Sequence, residues 1–159
     1  MYKQYLSTQK GSVITTVQIP INTRIIDFSG KVLLDREIDS STINDHWQVG
    51  PNSFLAPSGN AEDYLKHSCE PNCLLHVVGN RAILVSMYTI PAGTELTVDY
   101  ATTSTDSVDA WKMDCNCGSS KCRKTISGHQ YLDADTRQKY LDKGALPLFI
   151  TSPEMFYRI

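Results

Sequence analysis

The stretch "DCNCGSSKCRK" (114–124) places three cysteines, Cys115, Cys117 and Cys122, within eight positions. They are too close together to be ordinary core residues. A structural zinc ion takes four ligands in a tetrahedron, and cysteine thiolates are its preferred donors. Three local thiols are therefore an incomplete site, and the fold has to bring a fourth ligand from elsewhere. The two remaining cysteines, Cys69 and Cys73, lie far upstream in "YLKHSCEPNC" (64–73). Spacing alone does not separate them as the fourth ligand.

Five cysteines is an odd number, and the opening "MYKQYLSTQKGS" lacks the apolar region of a secretory signal. Together these favour reduced thiols and metal over disulfides, and so an intracellular, reducing compartment such as cytoplasm or nucleus. The alternative is a secreted chain with two disulfides and a spare thiol. A chain of 159 residues, 41% hydrophobic and 20% charged, suits one folded core. A net charge of −2 offers no basic footprint, so direct nucleic-acid binding is not expected. No apolar run is long enough to cross a bilayer, so no membrane partner is expected.

Hydrophobic patterning gives short strands. Residues 12–34 are rich in Val, Ile and Thr and are broken by Pro20, Asn22 and Gly30, which predicts two or three strands. "HWQVGPNSFLA" (46–56) reads as a hairpin around Gly50, Pro51 and Asn52. "NAEDYLKH" (60–67) reads as one helical turn capped by Asn60, with Asp63 placed to suit the dipole. Gly79-Asn80 splits residues 74–87 into a two-residue hairpin. "ELTVDYA" (95–101) alternates, with Leu96, Val98 and Tyr100 on one face and Glu95, Thr97 and Asp99 on the other. Residues 102–113 form a polar connection. "LDADTRQKYLDKG" (132–144) predicts a short helix ending at Gly144, followed by an apolar tail able to dock on the body. The expected class is mainly β with few helices.

"HSCEPNC" (67–73), "IPAGTELTVDYA" (90–101) and "CNCGSSKCRK" (115–124) occur in that order. Together they resemble the SET-domain protein lysine methyltransferases and their post-SET zinc motif, over roughly residues 6–150. Residues 10–32 match the first half of that domain more loosely. The resemblance implies a fold of several small curved sheets with pseudoknot-like C-terminal threading. It also implies a division into a SET domain (1–101), a post-SET zinc segment with a C-terminal helix (102–150) and a tail (151–159).

The same resemblance implies the chemistry. The cofactors would be S-adenosylmethionine and Zn2+, and the partner a protein or peptide carrying a lysine, possibly of histone type. The zinc ligands would be Cys69, Cys115, Cys117 and Cys122, leaving Cys73 as a buried free thiol. Tyr100 would be the catalytic tyrosine. The turn at Lys10, Gly11 and Ser12 would meet the methionine part of the cofactor, together with Lys66. Backbone groups around His67 would meet the adenine, and Tyr131 or Trp111 would pack on it. Val98 stands where some relatives carry an aromatic that tunes product state. Asp99, on the opposite face, would make structural hydrogen bonds. Asp106, Asp109 and Asp114 lie near the expected peptide groove, where they either favour basic substrates or are simply solvated. The chain departs from the family pattern twice: "KGS" stands for Gly-x-Gly in the first loop, and Lys66 stands where Asn usually precedes the histidine. These departures leave open a second reading, a zinc-stabilised binding module with weak or no catalysis; an unrelated zinc-binding β domain is a third.

Overall fold

The computed structural model describes residues 2–105 and 112–155. Trp111, Asp106 and Asp109 lie outside them. Strands β1 (Leu6–Gln9) and β2 (Ser12–Thr15) form an antiparallel hairpin. Its two-residue turn has positive φ at Lys10 (50°) and Gly11 (73°), the pattern that matches strand twist. The left-handed positions fall on Lys10 and Gly11, so Ser12, already in β2, needs no positive φ.

Strands β3 (Arg24–Asp27) and β4 (Val32–Leu34) follow, and then the hairpin of β5 (Trp47–Gly50) and β6 (Ser53–Leu55). A two-residue strand, β7 (Lys66–His67), leads to the hairpin of β8 (Cys73–Val78) and β9 (Arg81–Ser86). Next come β10 (Thr97–Val98), β11 (Met113–Asp114) and β12 (Thr125–Ile126), and finally helices α1 (Ala134–Asp142) and α2 (Leu148–Thr151). The strands assemble into two three-stranded sheets, ordered β3-β9-β8 and β4-β6-β5, and three pairs: β1-β2, β7-β10 and β11-β12. Among the described residues, only β7 and β10 run parallel. The protein is mainly β with few helices, as the patterning requires.

Strand β8 divides the interior. Successive side chains on a strand face opposite ways. Leu75 enters a core with Val13, Ile19, Ile26, Leu84, Leu96 and Val98. Leu74 enters a second core with Met87, Ala101, Leu132, Tyr140 and Phe149. The apolar tail, including Leu146, Phe149 and Ile150, completes this second core. Helix α1 is capped by Asp133, whose Oδ1 accepts from the Thr136 N–H (2.8 Å), and it ends before Gly144 at φ 63°.

Two expectations are corrected locally. Residues 61–64 form a 3-10 turn, and Asn60 does not cap it: its amide donates to Ser29 Oγ at 2.9 Å. Asp63 instead accepts from the N–H groups of Ser58 and Gly59, just before the turn. The alternation of 95–101 also stops at Val98. Asp99 then starts a 3-10 turn, Tyr100–Thr102, by accepting from the Ala101 N–H. Asp99 is buried although the pattern put it on the polar side, because Arg123 and Tyr140 reach it.

Gly30 has a packing reason. A Cβ there would lie 2.0 Å from the Ala56 carbonyl oxygen, so backbone would have to move. Gly30→Ala is expected to lower stability by about 1–3 kcal/mol, the cost of overpacking, as read by urea unfolding.

Candidate active site and metal centre

Tyr100 is fixed at three points. Its N–H donates to His67 Nδ1 (3.2 Å), and its hydroxyl donates to the Leu65 carbonyl (2.7 Å). Its ring meets Trp47 edge-on at 5.7 Å, and Trp47 meets Phe28 the same way at 5.4 Å. Burial raises the phenol pKa, opposed by the main-chain N–H of His67 acting on the phenol oxygen. Tyr100 is therefore a neutral hydroxyl at ordinary pH. It lines a cavity of about 640 Å³ shared with Trp47, Phe54, Tyr64, Leu65 and Thr103. This is within the size range of small-molecule and side-chain sites.

Beneath Tyr100 lies a buried charge. Asp99 is 1% exposed. Its Oδ2 and Oδ1 accept from Arg123 Nη1 and Nη2, both at 2.7 Å, and Oδ2 also accepts from the Tyr140 hydroxyl at 2.8 Å. The two-pronged geometry suits a guanidinium, which matches a carboxylate edge with two parallel donors. Asp99 and Arg123 are thus a satisfied pair linking the end of β10 to the cysteine-rich segment. Sequence reasoning missed Arg123 and Tyr140. The alternation of 95–101 put Asp99 on the polar face and gave no signal of either partner.

Three of the cysteines converge with a histidine. Donor atoms of His67, Cys69, Cys115 and Cys117 all lie within 4.8 Å of one another. Cys122 packs against the same cluster, and its thiol faces the Cys115 carbonyl at 3.3 Å. The Sγ atoms of Cys69 and Cys115 are 3.8 Å apart. Two sulfurs on one zinc, each about 2.3 Å from it in a tetrahedron, are separated by about 3.8 Å. Backbone N–H groups also point at the sulfurs, Cys69 to Cys117 Sγ (3.5 Å) and Arg123 to Cys69 Sγ (3.4 Å). Such donors stabilise thiolate. Burial alone would raise Cys117, but N–H groups of Cys69 and Ser119 help bring it down to about 6. The cluster could hold zinc.

His67 is buried beside this cluster, and burial lowers its pKa to about 4, with Asp99 opposing and Arg123 adding to the effect. Its Nδ1 accepts from Tyr100, so the neutral ring carries its proton on Nε2. That nitrogen is 3.2 Å from Cys69 Sγ and is set to donate to it. Cys73 stands apart from the cluster. It is buried in the first core, and burial pushes its thiol up to about 12.

The remaining sequence-selected residues are not gathered in one cavity. Lys66 is half exposed, and its ammonium lies 3.7 Å from Glu95. Its register partner is Thr97, and that of His67 is Val98. Gly11 is exposed at the tip of the β1–β2 turn, with Ser12 beside it. An isolated bridge between Ile14 and Glu95 sets this hairpin next to the Lys66 pair. Tyr131 lines a separate cavity of about 350 Å³ with Arg123, Thr125 and Ser127. Lys112 lies 5.8 Å over its ring. Val98 is fully buried and does not line the Tyr100 cavity.

Comparison with known proteins decides the family. The model of the SET domain matches residues 11–101. The chain belongs to the SET-domain family. Among curated relatives, it is 28% identical over 145 residues to "Histone-lysine N-methyltransferase trithorax" of Drosophila virilis, which covers 79% of this chain and 4% of the relative. It is 40% identical over 73 residues to human "Histone-lysine N-methyltransferase 2B", covering 43% of this chain and 3% of the relative. This SET chain therefore spans only a small fraction of the length of the relatives it matches. Among solved structures, it is similar to KRYPTONITE in complex with mCHH DNA, H3(1-15) peptide and SAH. The TM-score there is 0.61 at 25% identity, over 76% of this chain and 28% of that one.

Removing the charge of Asp99 strands a half-buried guanidinium. Breaking one side of a buried pair is strongly destabilising. Asp99→Asn is expected to cost on the order of 3 kcal/mol in chemical unfolding, whereas a mere surface pair would cost under about 1 kcal/mol.

Proposed function

We propose that this SET domain is an S-adenosylmethionine-dependent protein-lysine N-methyltransferase. The observation that carries the reading is the Tyr100 hydroxyl, held on the Leu65 carbonyl at the wall of an apolar cavity, in a chain of this family. The cofactor, when bound, supplies a methyl group on a sulfonium. The turn at Lys10, Gly11 and Ser12, Lys66, the backbone of His67 and the ring of Tyr131 are the groups that would hold it. Lys66 does not count against this role, because Glu95 already partners its charge. Ser12 does not count against it either, since the left-handed positions fall on Lys10 and Gly11.

The residues of the chain then do three things. The aromatic and aliphatic wall of Trp47, Phe54 and Leu65 excludes water from an entering lysine side chain, and a dry channel disfavours its ammonium form. Tyr100 and the Leu65 carbonyl fix the approach of the amine. Their rigidity matters because alignment of two reactants is worth several orders of magnitude in rate. Asp45, Asp63 and Lys112 border the same cavity, two carboxylates against one cation. The relatives' names and the neighbour's bound peptide support a histone or histone-like substrate, and hence a nuclear location.

The zinc site is assigned to Cys69, Cys115, Cys117 and Cys122, with His67 donating from Nε2 to Cys69 rather than binding the ion. Held this way, residues 102–150 would act as a clamp on residues 1–101.

Two measurements test the proposal. Tyr100→Phe is expected to bind S-adenosylmethionine like the wild type by calorimetry yet transfer methyl to a lysine peptide about 100-fold more slowly. A wild type that binds no cofactor at millimolar concentration ends the reading in favour of a binding module. Elemental analysis is expected to give one zinc per chain. That zinc should be lost in Cys117→Ser and Cys122→Ala and retained in His67→Gln and Cys73→Ala. Loss in His67→Gln with retention in Cys122→Ala reverses the assignment of the fourth ligand.

A further inference from the structure

Helix α1 lies beyond the segment that the family model matches. Its one buried residue, Tyr140, leaves the helix face with its hydroxyl on Asp99 Oδ2 at 2.8 Å. The residue next in sequence to Asp99 is Tyr100, and Asp99 Oδ1 caps the 3-10 turn that carries it. A second contact comes from the same turn. Ala101, 1% exposed, packs in the core that Tyr140 shares with Leu132, Leu146 and Phe149. One helix therefore reaches both the polar and the apolar side of the turn that aims Tyr100.

We propose that Tyr140 is a positioning residue for Tyr100, so that α1 is part of the active-site framework rather than a solvent-facing appendage. The proposal rests on the methyltransferase reading for its kinetic test and on geometry alone for its spectroscopic one. Besides the Ala101 N–H of its own turn, and with His67 Nδ1 3.5 Å from Oδ1, Asp99 is held by two side chains from later in the chain. Arg123 holds both oxygens in the plane of the carboxylate from the cysteine-rich segment. A planar fork leaves rotation of the pair as a unit unrestrained, and a third donor from another element removes that freedom. Tyr140 supplies it. Burial, with the Asp99 charge adding to it, raises the Tyr140 pKa, so the donor is permanent across the working range of pH. The turn cannot tilt without breaking this bond or opening the Ala101 contact. The distal end of the same unit is the Tyr100 hydroxyl on Leu65.

The test compares Tyr140→Phe with Ile150→Val in the full chain. Ile150 is in the same core, but no bond to Asp99 is involved, and losing one methylene there costs a comparable amount of stability. Tyr140→Phe is expected to lower kcat about tenfold with KM for cofactor and peptide within about twofold and zinc content unchanged. Ile150→Val should lower Tm similarly and leave kcat unchanged. Independently of turnover, tyrosines labelled at ring carbon should show the Tyr100 resonance, assigned by Tyr100→Phe, displaced in Tyr140→Phe and unmoved in Ile150→Val. An unmoved resonance, or an unchanged kcat in an active protein, overturns the proposal. A displaced resonance in a protein whose wild type transfers no methyl upholds it and counts only against the methyltransferase reading.

Discussion

A carboxylate taken out of water costs several kcal/mol unless donors replace the hydration it loses. Asp99 meets that demand with Arg123, Tyr140 and its own turn, three sources that are far apart in the chain. The consequence is organisational as much as energetic. The cysteine-rich segment, the C-terminal helix and the end of β10 have to arrive together, since any one of them missing leaves a buried group without a partner. Tyr100 sits one residue along from this junction and inherits its rigidity.

The cysteine cluster is coupled to the same junction. Arg123 follows Cys122 directly; its side chain goes to Asp99 while its backbone N–H goes to Cys69 Sγ. His67 touches both parties, accepting from Tyr100 on one nitrogen and facing Cys69 with the other. A thiol of the cysteine cluster, a tautomer and the backbone of Tyr100 are thereby linked through two consecutive contacts. Outer partners of this kind commonly tune a site as strongly as the ligands do.

Much of this was legible in the residues. Gly79-Asn80 and Gly50-Pro51-Asn52 marked hairpins because turn chemistry is local. The spacing of Cys115, Cys117 and Cys122 pointed to a metal site, and donor atoms of Cys115 and Cys117 do gather with those of Cys69 and His67, while Cys73 lies apart in the core. What stayed hidden is non-local. No periodicity could show that Asp99 would be buried, that Tyr140 would turn inward, or that Leu65 would matter through its carbonyl. The capping role read for Asn60 failed for a related reason: its amide found Ser29, a partner invisible in its own neighbourhood. Among the cofactor-contacting residues chosen from the sequence, Tyr131 lines a different cavity from Tyr100, because a linear motif says which residues occur but not which cavity each one faces.

Strand β8 carries a further implication for how such a chain can vary. Leu74 and Leu75 belong to different interiors, so inserting or deleting one residue within Cys73–Val78 would exchange the two populations of side chains wholesale. Changes in length are tolerated better in connecting loops, such as those between β4 and β5 or between β6 and β7, where no register is at stake. Those loops border the Tyr100 cavity. Diversification in a lineage of such proteins would therefore fall on the rim of the cleft while its floor stays constant.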